Sequence, residues 1–198
     1  MDLFPGNRLV LATRNEGKVQ EMKRLLDGRG VDVTTAAALG LPEVEETGTT
    51  FEENAGLKAA SGAKASGFAV LADDSGLSAD ALDGAPGVYS ADWGGPERDF
   101  AAAMARLERE VKAAGDNRAA RFVSVLILEW PDGRRISARG EVEGQLVFPP
   151  RGEGGFGYDP CFIPDGEDRT FAEMSPEEKA KHSHRSRAME ALMVELIG

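Results

Sequence analysis

The sequence is poor in the residues that mark secreted, metal-binding or membrane-spanning proteins. It contains one cysteine and two histidines in 198 residues, so no intrachain disulfide can form, and a reducing compartment fits. That cysteine, Cys161, lies between Pro160 and Phe162, and we predict a buried apolar group rather than a nucleophile. No apolar run approaches the ~20 residues of a membrane helix, and the first apolar stretch, residues 9–12, lacks the length and basic flank of a signal peptide. These absences predict a cytoplasmic protein with no membrane association.

Positive charge is also scarce. Lysine and arginine total 23 against 34 aspartate and glutamate residues, which gives a net charge of −11. A field of that sign repels polyanions and argues against binding to nucleic acid. An anionic small molecule can still bind where local Lys and Arg groups or a metal ion offset the repulsion. The length favours one domain over residues 1–198.

The beginning of the chain alternates between strand and helix patterns. Residues 8–13 form a nearly continuous apolar run that predicts a strand covered on both faces. Residues 16–27 place their apolar side chains on one helical face, and Asn15 provides an N-cap. Residues 31–35 predict a second strand. This βαβ opening predicts parallel pairing of the two strands.

The later segments complete an α/β pattern. Residues 50–53 form a capping box for a helix that runs to about Ser66, and Pro96 predicts another helix start. Two strand patterns, residues 121–130 and 135–147, flank a Pro-Asp-Gly turn and predict a hairpin. A last helical stretch opens at residue 176. Together these elements predict an α/β fold, a mixed central sheet with flanking helices.

Two adjacent carboxylates follow the apolar run of residues 68–72. Burying an unpaired carboxylate is costly, so Asp73 and Asp74 indicate a cation site, a proton-transfer role, or both. Strand side chains alternate between faces, so both acids reach one ligand only if the chain turns, which Ser75 and Gly76 favour. The alternative is a polar strand end with solvated acids.

Two further segments could serve a phosphorylated ligand. Residues 13–18 (TRNEGK) lie at a strand-to-helix junction, where backbone N–H groups, the helix dipole and Lys18 favour an anion. The acidic loop at residues 45–48 could bring a carboxylate toward the Asp pair, and Mg²⁺ prefers such oxygen ligands. The alternatives are an ordinary N-cap with a surface lysine, and a solvated acidic loop.

Two segments in the second half could hold a base. The glycine-rich loop, residues 152–159, carries Phe156 and Tyr158, and such rings can stack on a base. Residues 179–187 concentrate cations that suit a phosphate or a base oxygen. The alternatives are a loop that buries Phe156, and a solvated basic helix start.

The order of these segments identifies a family. The motifs are, in order, residues 13–18, residues 46–48 (ETG) with 50–55 (TFEENA), residues 72–77 (ADDSGL), residues 84–91 (GAPGVYSA), residues 154–160 (GGFGYDP) and residues 183–185 (SHR). This series resembles the non-canonical purine nucleoside triphosphate pyrophosphatase family, the inosine/xanthosine triphosphatases, from about residue 9 to residue 197.

The resemblance implies an elongated α/β fold with a cleft between two lobes, usually assembled as a homodimer. It implies Mg²⁺-dependent hydrolysis of the purine nucleoside triphosphates ITP, dITP and XTP to the monophosphate and pyrophosphate, which removes deaminated purines from the nucleotide pool. Glu46 and Asp74 would hold the metal, and Asp74 would also accept the proton. The implied substrate-binding residues are Thr13, Arg14, Asn15, Glu16, Gly17 and Lys18 for the triphosphate, with Ser75, Phe156, Gly157, Tyr158, Asp159, Lys179, His184 and Arg185 for the rest of the nucleotide, the last two at the base.

Two other readings stay open. Maf-type pyrophosphatases share the fold and chemistry, but their serine-rich opening motif is absent here. A nucleotide-binding module without catalysis need not retain Lys18, Glu46 and the Asp pair.

Overall fold

A computed structural model describes residues 7–197. The strands are β1 (Arg8–Leu11), β2 (Asp32–Thr35), β3 (Ala69–Ala79), β4 (Ala119–Glu129), β5 (Arg135–Leu146) and β6 (Phe162–Pro164). The helices are α1 (Glu16–Leu26), α2 (Phe51–Ser66), α3 (Phe100–Ala113), α4 (Pro176–Ala180) and α5 (His184–Ile197). Within the described residues, no helix is both long and apolar enough to cross a membrane.

The six strands form one mixed sheet in the order β2-β1-β3-β4-β5-β6. Strand β1 pairs in parallel with both β2 and β3, whereas β5 and β6 are antiparallel. The predicted mixed α/β sheet and the parallel βαβ opening are therefore confirmed. The elongated shape and the cleft stay predictions.

The chain divides into two compact units. The first contains the chain up to Asp74, Ser124–Gly140 and the chain from Arg185 onward, and the second contains Ser75–Val123 and Glu141–His184. Each unit has its own cluster of buried apolar side chains. The first cluster includes Leu9, Leu11, Met22, Leu71, Leu126, Leu128 and Met189. The second includes Leu77, Leu107, Val111, Phe122, Tyr158, Cys161, Phe162 and Phe171. A single domain over residues 1–198 stays a prediction.

Side-chain caps begin the first two helices, as predicted. The Asn15 side chain accepts a hydrogen bond from the Lys18 N–H at the start of α1. Thr50 and Glu53 form the capping box of α2, in which each side chain accepts a hydrogen bond from the other residue's N–H. Both caps satisfy N–H groups that a helix start otherwise leaves without partners.

The predicted helix start at Pro96 is wrong. Helix α3 begins at Phe100, and the Asp99 carboxylate accepts hydrogen bonds from two N–H groups of its first turn. The backbone before this cap is not helical, because Gly95 and Arg98 have φ of 70° and 51°. The carboxylate cap defines the start of the helix more strongly than the proline does.

Strand β3 does not end at the Asp pair, so the predicted turn at Ser75 and Gly76 is wrong. The strand continues to Ala79, and Leu77 and Ala79 are fully buried. The Leu77 N–H donates a 2.9 Å hydrogen bond to the Ser90 hydroxyl. Apolar burial beyond the acids and this hydrogen bond favour extended backbone over a turn.

Candidate active site

Asp73 is the centre of a buried ion-pair network in the first unit. Its side chain is fully buried, with Lys18 Nζ 2.7 Å from Oδ1 and Arg185 Nε 2.7 Å from Oδ2. The Ser124 hydroxyl donates a 3.1 Å hydrogen bond to the same Oδ2. The guanidinium also pairs with Glu21 of α1. Helices α1 and α5 thus supply the cations that compensate this carboxylate.

These cations determine the charge state of Asp73. Burial alone would raise the pKa of its carboxyl, but Arg185 and Lys18 outweigh burial and hold that pKa well below its usual range. Burial likewise favours neutral Arg185, and the carboxylates of Asp73 and Glu21 reverse this effect and raise its pKa. Asp73 is therefore a permanent anion, which suits electrostatic support and excludes proton transfer near neutral pH.

Asp74 has different partners, supplied by α2. The Lys58 ammonium lies 3.2 Å from Asp74 Oδ1 and 2.7 Å from Glu46 Oε1, and it donates a 2.8 Å hydrogen bond to the Asp73 carbonyl. The Asn54 amide donates a long hydrogen bond of 3.4 Å to Asp74 Oδ2. The predicted approach of an acidic-loop carboxylate to the Asp pair is therefore confirmed, with one lysine between Glu46 and Asp74.

Asp74 also differs from Asp73 in its proton affinity. Its burial raises the pKa of the carboxyl to about 6, and the positive charges of Lys58 and Lys18 only partly oppose this effect. Burial lowers the pKa of Lys58, but Asp74 and Glu46 outweigh it and raise that pKa. A carboxyl with a pKa near the working pH is suited to general base chemistry.

The segment at residues 13–18 forms the junction between β1 and α1, as predicted. Thr13 accepts a hydrogen bond from the Asn15 N–H, and Asn15 caps the helix. Arg14 is exposed and donates to the Leu41 carbonyl. Lys18 retains 14% side-chain exposure while it pairs with Asp73. This lysine therefore lies at the surface of the network, in the first turn of a helix whose N-terminus favours anions.

Oxygen donors converge on a single cation beside Asp74. Three oxygens, from Glu46, Asp74 and the Asp73 backbone, surround the Lys58 ammonium. Carboxylate and carbonyl oxygens are the donors that Mg²⁺ takes from proteins, usually with waters and substrate phosphates completing its shell. Among the described residues, no group of three or more His, Cys, Asp or Glu side chains is spaced to enclose a metal. The oxygens directed at this cation are therefore of the type that Mg²⁺ takes from proteins.

The second unit brings together three of its predicted binding residues. Lys179 Nζ lies 2.6 Å from Asp159 Oδ2, and both side chains are almost fully buried. Asp159 Oδ2 also accepts a 2.8 Å hydrogen bond from the Phe156 N–H, and the ammonium lies 4.6 Å from the centroid of the Phe156 ring. Gly155 has no room for a side chain, since a methyl group there would come within 2.1 Å of this carboxylate. The ion pair therefore connects α4 to the glycine-rich loop.

Three further residues predicted to bind the substrate, Ser75, His184 and Arg185, differ in exposure and in their contacts. Ser75 follows Asp74 in β3 and is partly exposed. The His184 ring is buried and stacks on Phe122, with centroids 4.8 Å apart and planes at 12°. Arg185 is 1% exposed, and its guanidinium contacts Asp73 and Glu21. Its predicted contact with the base stays a prediction, and the contacts in this structure are to carboxylates.

Four side chains of this site were not predicted from the sequence: Glu21, Asn54, Lys58 and Ser124. The sequence could have indicated two of them. Asn54 and Lys58 are four residues apart on the helix that the capping box predicts, so they share a face of that helix. Glu21 and Ser124 become partners of Arg185 and Asp73 only through the tertiary fold.

The chain is similar in sequence to known proteins over most of its length. A family model described as the Ham1 family matches residues 9–195. A protein of Gluconobacter oxydans named dITP/XTP pyrophosphatase is 53% identical over 96% of this chain and 91% of its own length. A protein of Rhodospirillum centenum with the same name is 55% identical over 96% of this chain and 95% of its own.

Solved structures extend the similarity to the fold. The structure of a HAM1 protein from Coxiella burnetii superposes with a TM-score of 0.87 at 39% identity, covering 96% of this chain and 98% of that one. The Staphylococcus aureus Ham1 protein gives a TM-score of 0.85 at 38% identity, with the same coverage. The chain therefore belongs to the Ham1 family, which confirms the family resemblance carried by its motifs.

Proposed function

We propose that this protein hydrolyses the non-canonical purine nucleoside triphosphates ITP, dITP and XTP to the monophosphate and pyrophosphate, and so removes deaminated purines from the nucleotide pool. The observation that carries the proposal is Asp74, a buried carboxyl with a pKa raised by burial to about 6, beside Lys58 and Glu46. The names of relatives with more than half of their aligned residues identical support the substrate class.

Asp74 is the proposed general base. Without a bound metal, a carboxyl with a pKa of about 6 is mostly ionised at neutral pH, yet it is more basic than an ordinary aspartate. It can accept a proton from the water that attacks the α-phosphorus in line with the departing pyrophosphate. Asp73 cannot share this role, because Lys18 and Arg185 hold its pKa well below the usual range.

The first turn of α1 is the proposed site for the triphosphate. The helix dipole at this end favours an anion, and Lys18 adds a full positive charge. When Lys18 turns to a phosphate, Asp73 keeps Arg185 and Ser124 as partners and is not left buried and uncompensated. Lys18 and Lys58 would then stabilise the charge that develops in the transition state.

Magnesium is the proposed metal, held by Glu46 and Asp74 together with the substrate phosphates. Both carboxylates already contact one cation, the ammonium of Lys58, so their oxygens are placed to accept positive charge. Bound there, Mg²⁺ would neutralise phosphate charge and make pyrophosphate a better leaving group.

Selection of the base is proposed for the second unit. Hypoxanthine and xanthine carry a 6-keto acceptor where adenine carries an amino donor, so a donor such as His184 or Lys179 would favour the keto purines. Phe156 offers a partly buried ring for stacking. Sites with buried polar groups discriminate by about 10⁴-fold when a required hydrogen bond is missing.

The test is a substrate panel with a matched variant. Pyrophosphate release is measured from ITP, dITP, XTP, ATP, UTP and dTTP, with Mg²⁺ and with a chelator. We expect release from the first three only, and only with the metal. Preference for UTP or dTTP would favour Maf-type chemistry, and ITP binding without release would favour a binding module.

A substitution of Asp74 tests the assignment of the base. Asp74→Asn should abolish turnover and retain ITP binding, whereas Asp132→Asn in the exposed hairpin turn should leave turnover unchanged. Near-normal turnover of Asp74→Asn would refute Asp74 as the base.

We also propose a cytoplasmic homodimer that does not bind nucleic acid. A single, buried cysteine suits a reducing compartment, and the net charge of −11 opposes polyanion binding. Light scattering coupled to size exclusion measures the assembly directly. A monomeric mass at micromolar concentration would contradict the dimer.

A further inference from the structure

The motif at residues 84–91 has no role in the proposed reaction, yet one of its residues connects two segments that do. We propose that Ser90 is a positioning residue that fixes the Ser75 end of β3 relative to the glycine-rich loop. This role rests on the proposed function, since those two segments are its substrate-binding parts. Ser90 is 6% exposed, and its hydroxyl and carbonyl bind to different segments.

The hydroxyl of Ser90 holds the strand. It accepts a 2.9 Å hydrogen bond from the Leu77 N–H and donates a 2.6 Å hydrogen bond to the Gly87 carbonyl. Gly76 packs directly on this arrangement, because a methyl group there would lie 2.2 Å from the Gly87 carbonyl oxygen and 2.5 Å from Ser90 Oγ. The backbone immediately after Ser75 is therefore docked on the loop without space for a side chain.

The carbonyl of Ser90 holds the glycine-rich loop. It accepts a 2.8 Å hydrogen bond from the Tyr158 hydroxyl, and Tyr158 is 2% exposed. Its ring also packs edge-on against Phe100, with centroids 5.5 Å apart. The phenol is thus enclosed by protein, and its contribution to nucleotide binding is to anchor the loop that carries Phe156 and Asp159.

The two contacts depend on each other through the backbone of Ser90. Its hydroxyl uses one donor and one acceptor bond, so removal of the oxygen leaves the Leu77 N–H buried without its acceptor. The same removal takes away one of the two hydrogen bonds that Ser90 donates to the Gly87 carbonyl and leaves the 3.1 Å bond from the Ser90 N–H, so the carbonyl that anchors Tyr158 is held less firmly. One serine therefore contacts both segments, and a change in its side chain affects both contacts.

A double-mutant cycle on ITP hydrolysis tests this coupling. Tyr158→Phe removes only the loop contact, so KM for ITP should rise roughly fivefold, the effect of one lost hydrogen bond, with a smaller fall in kcat. Ser90→Ala should raise KM and also lower kcat, because Ser75 directly follows Asp74. The double variant should be less impaired than the product of the two single effects, since both disturb one arrangement.

A buried apolar residue of the same unit provides the control. Val111→Ala creates a cavity beside α3 and should lower the unfolding temperature, with KM and kcat unchanged.

Multiplicative effects in the cycle, or an unchanged KM for Tyr158→Phe, would overturn the coupling while leaving ITP hydrolysis by the wild type intact. If Ser90→Ala does not fold, the KM of Tyr158→Phe alone decides. A wild type inactive on ITP would refute the proposed function, and this role with it.

Discussion

Removal of the negative charge on Asp73 should destabilise the protein strongly, although the substituted side chain has nearly the same size. Asp73→Asn keeps the shape of the side chain and removes the anion that Lys18 and Arg185 share at 2.7 Å each. Arg185 then stays buried with Glu21 as its charged partner, while Lys18 can turn to water. The substitution thus leaves a buried cation partly uncompensated, which is the costly case.

The magnitude follows from this geometry. Loss of one member of a buried ion pair costs ~3–5 kcal/mol. Glu21 and the partial exposure of Lys18 place the expected cost near the lower value, about 3 kcal/mol. At about 2–4 °C per kcal/mol for a chain of this length, the unfolding temperature should fall by roughly 6–12 °C.

Urea unfolding of three variants distinguishes charge from hydrogen bonding. Ser124→Ala removes one hydrogen bond from an uncharged donor to the same carboxylate and leaves no buried charge without a partner, so it should cost about 1.5 kcal/mol. Asp132→Asn, in the exposed hairpin turn, should leave the midpoint unchanged. If Asp73→Asn costs no more than Ser124→Ala, the ion pairs around Asp73 contribute little to stability, and the predicted cost of about 3 kcal/mol is refuted.

Two further predictions concern other side chains. Lys58→Met should lower ITP turnover at least tenfold, because it removes the cation between the two predicted metal ligands. The matched control is Lys64→Met at an exposed position of the same helix. Equal pyrophosphate release by both variants would contradict a role for Lys58. Burial raises the pKa of the Cys161 thiol, so an aromatic disulfide reagent at pH 8 should react with it only after denaturation. Rapid release of the coloured thiol from the native protein would show that this cysteine is accessible.

Local patterns predicted the elements that local chemistry specifies. The caps at Asn15 and Thr50 follow from side chains three residues from their partners, and both are present. The start of α3 could not be read from Pro96, because proline permits a helix start while the Asp99 carboxylate stabilises one. The part of β3 beyond the Asp pair is hydrogen-bonded to Ser90, 13 residues after Leu77 in the sequence, so the segment itself does not reveal the extension.

The same distinction applies to the site: motifs predict some of its residues, and only the tertiary fold reveals their partners. The motifs identified Lys18, Glu46 and Asp74. In the structure Lys18 pairs with Asp73, and Lys58 pairs with both Glu46 and Asp74. The position of Arg185 could not be predicted, because its motif does not show which carboxylates the start of α5 approaches. In the structure these are Asp73 and Glu21.

The alternation of the two acids along β3 also favours one register of this strand in the sheet. Asp73 meets cations from α1 and α5, and Asp74 meets Lys58 from α2. A slip of one residue in one direction would offer Ala72 to Arg185 and Lys18, and a slip in the other would offer Ser75 to Lys58. Either slip would leave a buried cation opposite a neutral side chain, so the ion pairs of the two acids favour the native pairing of the strand over shifted ones.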